Sequence, residues 1–530
     1  MKKIILLVLA LLTICTSALA ADFSKLIIMH TNDSHGYDQR QEGINGLATV
    51  KALKDDFLKK GYNVLLVDAG DFLQENILVN YSKGKSAVEF FNAVGYDFLT
   101  LGNHEFDYGQ DVLQKRIKES KALVRSCNVF VDATGKLLVP ASAIIQKGDV
   151  KIGLVGVTTP SVKTSSSPRN TKGLTILDDK KLYEALQKEI NSLKAQGCDL
   201  IVVVSHMGSV KAAGYAIAED VLANVQGIDI LIDGHDHQVK NSYTSSGTLF
   251  VEAGCHTENI GVIKFAEGKW VSDLYKFGRF NQEDAKVKAI VDKEANKINK
   301  DLGKKIGETD FALSGDRAPG LRTQEMPLGN FGADAFLWQA RQAAVLNGKQ
   351  IDAAIVNGGD YRTGIKQGAI SKAKILDVFP FENYLVVETI PGSALLEILE
   401  AASSAAPQAI GAFPQVAGIE FELDLREPYV NGEKYFMGKF YKPKFPGKRV
   451  KIKTVNGKPF DPKANYNICV TTFLSTGGDA YALLAEYAEK SAWDIGYQEL
   501  DALTNYLITE LKGKISDKYR SNEGRITIIK

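Results

Sequence analysis

The sequence predicts an α/β protein of two domains, and three observations carry that expectation. The chain has 530 residues, more than one hydrophobic core usually serves. Short apolar runs alternate with helix-like segments through its first half, the pattern of a layered α/β domain. The residues with metal- and proton-handling chemistry stand just past the ends of those runs, where open α/β sheets place their ligands. Composition narrows the partners: 64 basic against 63 acidic residues give a net charge of +1 and no electrostatic case for a nucleic-acid polymer or an anionic membrane. Phosphate recognition, if present, has to be local.

Lys2-Lys3, the apolar run 4–12 and Ala18-Leu19-Ala20 predict a secretory signal over residues 1–20, cut after Ala20. The run is short for a bilayer span. Ile14 stands where a lipoprotein signal would have a small residue before Cys15, and Ile526-Thr527-Ile528-Ile529-Lys530 supplies no long hydrophobic tail. The expected protein is exported, periplasmic or secreted, without a stable membrane anchor; its oligomeric state is not legible. Cys127, Cys198, Cys255 and Cys469 remain after the signal, and their wide spacing argues against metal ligation while leaving three disulfide pairings open.

In chain order, the run 25–29 leads into Thr31-Asn32-Asp33-Ser34-His35-Gly36, and 64–67 into Asp68-Ala69-Gly70-Asp71. The run 98–101 leads into Gly102-Asn103-His104-Glu105-Phe106-Asp107, 200–204 into Ser205-His206, and 228–232 into Asp233-Gly234-His235-Asp236-His237. Segments 46–59, 86–93 and 180–194 read as the intervening helices, and 164–168 as a Ser-rich loop. Singly, an Asp or Asn after a strand is a turn former or helix cap, and a lone His is a satisfied structural residue. Recurrence decides otherwise: of seven histidines, His35, His104, His206, His235 and His237 fall at predicted strand ends. His30 reads as structural, and His256 has no evident role. His104 and Asp107 are close enough to meet on one turn, where the carboxylate would fix the tautomer of the imidazole.

After a strand near 262–265, residues 282–302 carry Val287, Ile290, Val291, Ile298 and Leu302 at helical spacing, an amphipathic helix read as the connector between domains. A last helix of the first domain is the alternative. The remainder, 304–530, contains no histidine and needs a different task. Arg322-Thr323-Gln324-Glu325, Asn357-Gly358-Gly359-Asp360-Tyr361-Arg362 and Phe473-Leu474-Ser475-Thr476-Gly477-Gly478-Asp479 combine glycines that permit close backbone approach with forked arginines suited to phosphate. Phe379-Pro380-Phe381-Glu382-Asn383 adds an aromatic turn, so Phe381 and Phe473 could sandwich a flat base. Read alone these clusters are ordinary turns, surface charges and core rings. Segment 397–409 reads as an Ala-rich helix ending near Pro407, and 428–453 as a basic surface loop or hairpin.

Asp33-x-His35, Gly70-Asp71, Gly102-Asn103-His104-Glu105, Ser205-His206 and Gly234-His235-Asp236-His237, in that order, resemble the calcineurin-like metallophosphoesterases. The longer first and third motifs resemble its secreted two-domain 5′-nucleotidase and UDP-sugar hydrolase branch. The resemblance implies a four-layer α/β metallophosphoesterase sandwich over 24–281, a linker helix over 282–303 and a C-terminal α/β substrate-specificity domain over 304–530. It implies two divalent metal ions, which the imidazole, carboxylate and amide donors suit to zinc, manganese, cobalt or iron. Asp33, His35, Asp71 and His237 would hold one, and Asp71, Asn103, His206 and His235 the other, Asp71 bridging. Asp68 would be a supporting or structural residue. His104 would stabilise phosphoryl charge, oriented by Asp107.

In the second domain the resemblance implies that Arg322 and Arg362 contact phosphate, Asn357 and Gly359 the nucleoside, Phe381 and Phe473 the base within a turn that includes Asn383, and Asp479 the ribose hydroxyls. Asp360, Tyr361 and Glu382 depart from the branch's pattern beside that site. The expected activity is release of phosphate from nucleoside 5′-monophosphates, with nucleotide diphosphates and UDP-sugars as further candidate substrates. A 2′,3′-cyclic-nucleotide phosphodiesterase with 3′-nucleotidase activity is the rival enzyme, and a two-domain solute-binding protein the rival of another class.

Overall fold

The computed structural model describes residues 21–210, 214–345 and 348–530; the expected signal segment lies outside the described residues. The first half is built on two six-stranded sheets packed face to face. In the first, Lys269–Lys276, Asn259–Ala266, Leu26–Thr31, Asn63–Asp68, Phe98–Thr100 and Leu123–Arg125 lie side by side, the last four parallel. In the second the order is Val239–Tyr243, Leu249–Ala253, Ile230–Ile232, Leu200–His206, Val150–Thr158 and Ser142–Lys147, with the inner four parallel.

Period-two alternation divides the apolar residues of each strand between two cores. Leu26 and Ile28 meet Val202 and Val204 in the layer between the sheets. Ile27 and Met29 face the helices Leu47–Lys59 and Lys85–Val94 on one outer side, while Ile201 and Val203 face the helix Asp179–Ala195 on the other. Strands covered on both faces read as unbroken aliphatic runs. The helix Asp179–Ala195 is started by Asp178, whose carboxylate accepts from Asp179 N at 2.8 Å, and it buries Leu182, Leu186, Ile190 and Leu193 along one stripe. Burial of each aliphatic side chain contributes about 1.5–3 kcal/mol. The result is the four-layer helix, sheet, sheet, helix sandwich.

The second half centres on a mixed five-stranded sheet, ordered Pro414–Ala417, Ala353–Asn357, Asn465–Thr471, Tyr384–Pro391 and Trp493–Gln498. The helix Pro327–Ala344 covers one face and Gly392–Ala402 the other. Ala353–Asn357 and Asn465–Thr471 run parallel, and Tyr384–Pro391 runs antiparallel to the latter. Asn357, Phe473 and Phe381 therefore emerge at the same edge of the sheet.

The helix Ala285–Leu302 is capped by Asp284, which accepts from Lys286 N and Val287 N. It packs against Leu47–Lys59 and Lys85–Val94 of the first domain, burying Val287, Val291 and Ile298, and it also touches Lys372–Val378 of the second. Ile290 is exposed, so the buried stripe is narrower than its apolar sequence. The Ala-rich helix spans Gly392–Ala402 rather than 397–409: Pro391 opens it, and Ser403 Oγ donates to Leu399 O at 2.8 Å where it stops. Segment 428–453 contains a short hairpin, Asn431–Lys434 with Tyr441–Pro443. Cys127, Cys198, Cys255 and Cys469 are all free thiols. No described helix is long and apolar enough to cross a membrane.

Candidate active site

Parallel strands of both sheets end at one edge, with His206 beside Thr158 and Val204 beside Ile232 in register. The segments that follow fold back over that edge in strained backbone. Asp33, His35, Asp71, His235 and His237 have φ of 48°, 49°, 59°, 93° and 62°, conformations that non-glycine residues rarely adopt and that cluster at functional sites. Glycine is required where carboxylates crowd the chain: a Cβ on Gly102 would lie 2.2 Å from Asp71 Oδ1, and one on Gly234 2.6 Å from Asp33 Oδ2.

Among the described residues three groups of donors result, one of them His237 with Cys255 and His256, so wide sequence spacing did not keep Cys255 away from other ligand atoms; the other two match the expected ligands. Asp33, His35 and His237 place one ligand atom each within 4.8 Å of one another, and Asp71, His206 and His235 do the same. His35 Nδ1 donates to Gln74 O at 3.1 Å, and His206 Nδ1 donates to Ala69 O at 2.6 Å, so each ring turns its Nε2 inward. His35 Nε2 lies 3.1 Å from His237 Nε2 and 3.8 Å from both Asp33 Oδ1 and Asp71 Oδ2. His206 Nε2 sits 3.0 Å from Asp71 Oδ2, and Asn103 Oδ1 is buried without a partner. Lone pairs of nitrogen and oxygen converging in a buried space fit divalent cations of the kind that nitrogen and oxygen donors take. Burial holds His35 down at about 3 and His235, aided by the neighbouring His206 charge, at about 4, so both imidazoles are neutral, the form that ligates.

His104 Nδ1 and Asp107 Oδ2 are 2.6 Å apart on one 3-10 turn, as the spacing predicts. Burial works against an imidazolium there, but the Asp107 and Asp71 carboxylates outweigh it and raise His104 above its usual range. Glu105 of the same motif is a brace: its carboxylate accepts from the backbone N–H of Asp71, Phe72, Leu73 and Gly102 at 2.6–3.2 Å, locking two loops together. Asp68 accepts from Thr31 Oγ1 and Gly70 N and takes no place in either donor group. His30 is wholly buried with both ring nitrogens unpartnered, a structural residue packed against Gly261.

The second-domain residues expected to take the nucleoside face these groups across a cavity of about 540 Å³ between the domains, lined by Asp71, His104, His235, Phe381, Phe473 and Asp479 among others. Arg322, Asn357, Gly359, Arg362 and Asn383 line it too. Asn357 Nδ2 donates to Asp479 Oδ2 at 2.9 Å, leaving Oδ1 for a ligand. Phe381 stands 5.8 Å from the His104 ring, and Asn383 Oδ1 accepts from Thr472 Oγ1 at 3.2 Å, next to Phe473. Tyr361 is core, its hydroxyl donating to Gly329 O at 3.0 Å.

The calcineurin-like phosphoesterase family model matches residues 26–239, and that of the 5′-nucleotidase C-terminal domain matches residues 305–486. The chain belongs to the calcineurin-like phosphoesterases that carry a 5′-nucleotidase C-terminal domain. It is a 5′-nucleotidase-type hydrolase of phosphoric esters. Its fold matches the crystal structure of a 5′-nucleotidase precursor from Thermus thermophilus with a TM-score of 0.80 and 28% identity, covering 95% of this chain and 99% of that one. Human 5′-nucleotidase is 26% identical over 566 residues, covering 96% of this chain and 91% of its own length. The trifunctional nucleotide phosphoesterase protein YfkN of Bacillus subtilis is 28% identical over 553 residues; 94% of this chain is covered, but only 35% of that longer protein.

Two residues of this phosphoesterase's cavity region escaped sequence reasoning. Arg317 Nη1 donates to His237 Nδ1 at 3.1 Å, and Glu75 pairs with Arg362. Arg317 stands five residues before Arg322 in an irregular loop, where no periodicity singles it out. Burial would raise the Glu75 carboxyl, but the Arg362 guanidinium holds it well below its usual range.

Proposed function

We propose that the protein is an exported, dinuclear-metal 5′-nucleotidase. The observation that carries the reading is the shared cavity: His237 of one donor group, Asp71 and His235 of the other, and the rings of Phe381 and Phe473 line one space between two domains. Asp33, His35, Asp71 and His237 would hold one ion and Asp71, Asn103, His206 and His235 the other. When bound, two divalent ions supply the charge that acidifies a water and neutralises phosphoryl oxygens.

The chain's own groups do the rest. Asp107 holds the Nδ1 proton of His104, so that Nε2 can donate to a phosphoryl oxygen as charge develops there. Arg322 and Arg362 bind phosphate, joined by Arg317. Arg317 donates to His237 Nδ1 at 3.1 Å and lines the same cavity, which puts a third guanidinium beside the donor groups. Phe381 and Phe473 hold the base, Asn357 and Gly359 the nucleoside, and Asp479 accepts from the ribose. The segment 1–20 directs export and is removed.

Phosphate release measured over nucleoside 5′-monophosphates, 3′-monophosphates, 2′,3′-cyclic monophosphates, nucleoside diphosphates and UDP-sugars tests the reading. The 5′-monophosphates are expected to give the highest kcat/KM. Preference for the cyclic and 3′-esters would replace it with the phosphodiesterase alternative. Activity on diphosphates as a second substrate class accords with the breadth in the name of the Bacillus subtilis relative.

A further inference from the structure

Glu75 occupies a position that folding alone would give to glycine. Its φ is 118°, a conformation that L side chains rarely adopt and that glycine takes without strain. The loop is nevertheless held there: Glu75 N donates to Asn80 Oδ1 at 2.9 Å, and Asn80 Nδ2 donates to Glu75 O at 2.9 Å and to Pro380 O of the second domain at 2.9 Å. The side chain is fully buried, at 0% exposure. A strained residue carrying a buried carboxylate persists where the carboxylate has a task.

Its partners identify the task. Oε2 accepts from Arg362 Nε at 2.6 Å and is also paired with Arg362 Nη2, so one edge of the guanidinium is clamped. The other approaches are longer, with His35 Nδ1 at 3.4 Å from Oε2 and His256 Nε2 at 3.4 Å from Oε1. His35 Nδ1 already has its acceptor in Gln74 O, so Glu75 is not what orients that ring. Arg362 comes from the second domain, lines the cavity, and has its guanidinium carbon 6.0 Å from the centre of the Phe381 ring.

We propose that Glu75 is the positioning residue for Arg362. It clamps the Nε and Nη2 edge across the domain interface and leaves Nη1 for the phosphoryl group. Because the two partners belong to different domains, Arg362 is set for phosphate only when the domains are closed. The proposal rests on the reading of Arg362 as a phosphate contact, and it fixes an arginine that a flexible side chain would otherwise have to order at each binding event.

The test uses full-length, metal-loaded protein titrated calorimetrically with inorganic phosphate, which requires no nucleotide activity. Glu75→Gln is expected to weaken phosphate roughly 10-fold with metal content unchanged, and Glu75→Asp to recover part of the loss. In an Arg362→Gln background the same change is expected to add nothing. Unaltered affinity overturns the proposal; so does tighter binding, which would make Glu75 a competitor of phosphate. An equal loss in the Arg362→Gln background, or a loss accompanied by departing metal, places its action on His35 instead. Glu75→Gly, which suits the backbone, carries the same comparison if the Gln variant does not fold. A protein that binds phosphate as described yet cleaves no nucleotide would remove the nucleotidase reading and leave the role of Glu75 standing.

Discussion

Asp71 illustrates how much of this site is decided by single side chains. Its φ of 59° turns the carboxylate towards His206, 3.0 Å away, while Oδ1 accepts from His104 N at 2.8 Å. Asp71→Ala is therefore expected to lower metal content below two ions per chain and turnover with it; unchanged stoichiometry by elemental analysis would remove the bridge. His104 is outside both donor groups, so His104→Asn is expected to retain its metals while kcat falls about 10²- to 10³-fold, the loss of one donor to a developing oxyanion. Loss of metal in that variant would make His104 a ligand. These residues were legible because they are chemically distinctive and stand past apolar runs. Glu75 and Arg317 were not, because a contact made between domains leaves no spacing in the sequence.

At the scale of elements the sequence was read through its periodicities, and the first domain's strands and helices fall close to where the runs predict them. Helix ends were less legible: Gly392–Ala402 is set by Pro391 and by Ser403 bonding back to Leu399, local chemistry that an alanine count does not register. Leu186 lies midway along the buried stripe of Asp179–Ala195. Leu186→Ala is expected to lower stability by about 2–5 kcal/mol in denaturant titration, the usual range for such a cavity. His30, in the strand Leu26–Thr31, is held down at about 3 by burial against an ordinary value of 6.5. The unfolded chain then binds the proton first, so this contribution to stability is complete above pH 6.5 and is lost as pH falls towards 3, amounting to a few kcal/mol at most. Replacing His30 by Leu should flatten the acid limb of the stability profile between those values; an unaltered slope would mean that other groups set it.

On the proposed reading the molecule as a whole works only if its halves meet over one substrate. Asp479 N donates to Thr164 O at 2.8 Å, Lys83 pairs with Glu382 at 2.7 Å, and Glu75 pairs with Arg362, so the described arrangement is closed at several points. Phe473→Ala is expected to raise KM for nucleotides roughly 10-fold or more, the value of one base stacked on a ring, while hydrolysis of a small phosphate ester without a base is nearly unchanged. Equal losses on both substrates would make Phe473 a packing residue. Product release then calls for the domains to part, a step of the kind that often limits turnover. Domain organisation was legible from length and from the absence of histidine after residue 304, whereas the closure between domains depends on scattered pairs that no local pattern announces. The most direct measurement is the return of nucleoside 5′-monophosphate hydrolysis as metal-free protein is titrated with a transition metal: the account predicts no activity at the start and saturation at two equivalents per chain, and full activity without metal or saturation at one equivalent would contradict it.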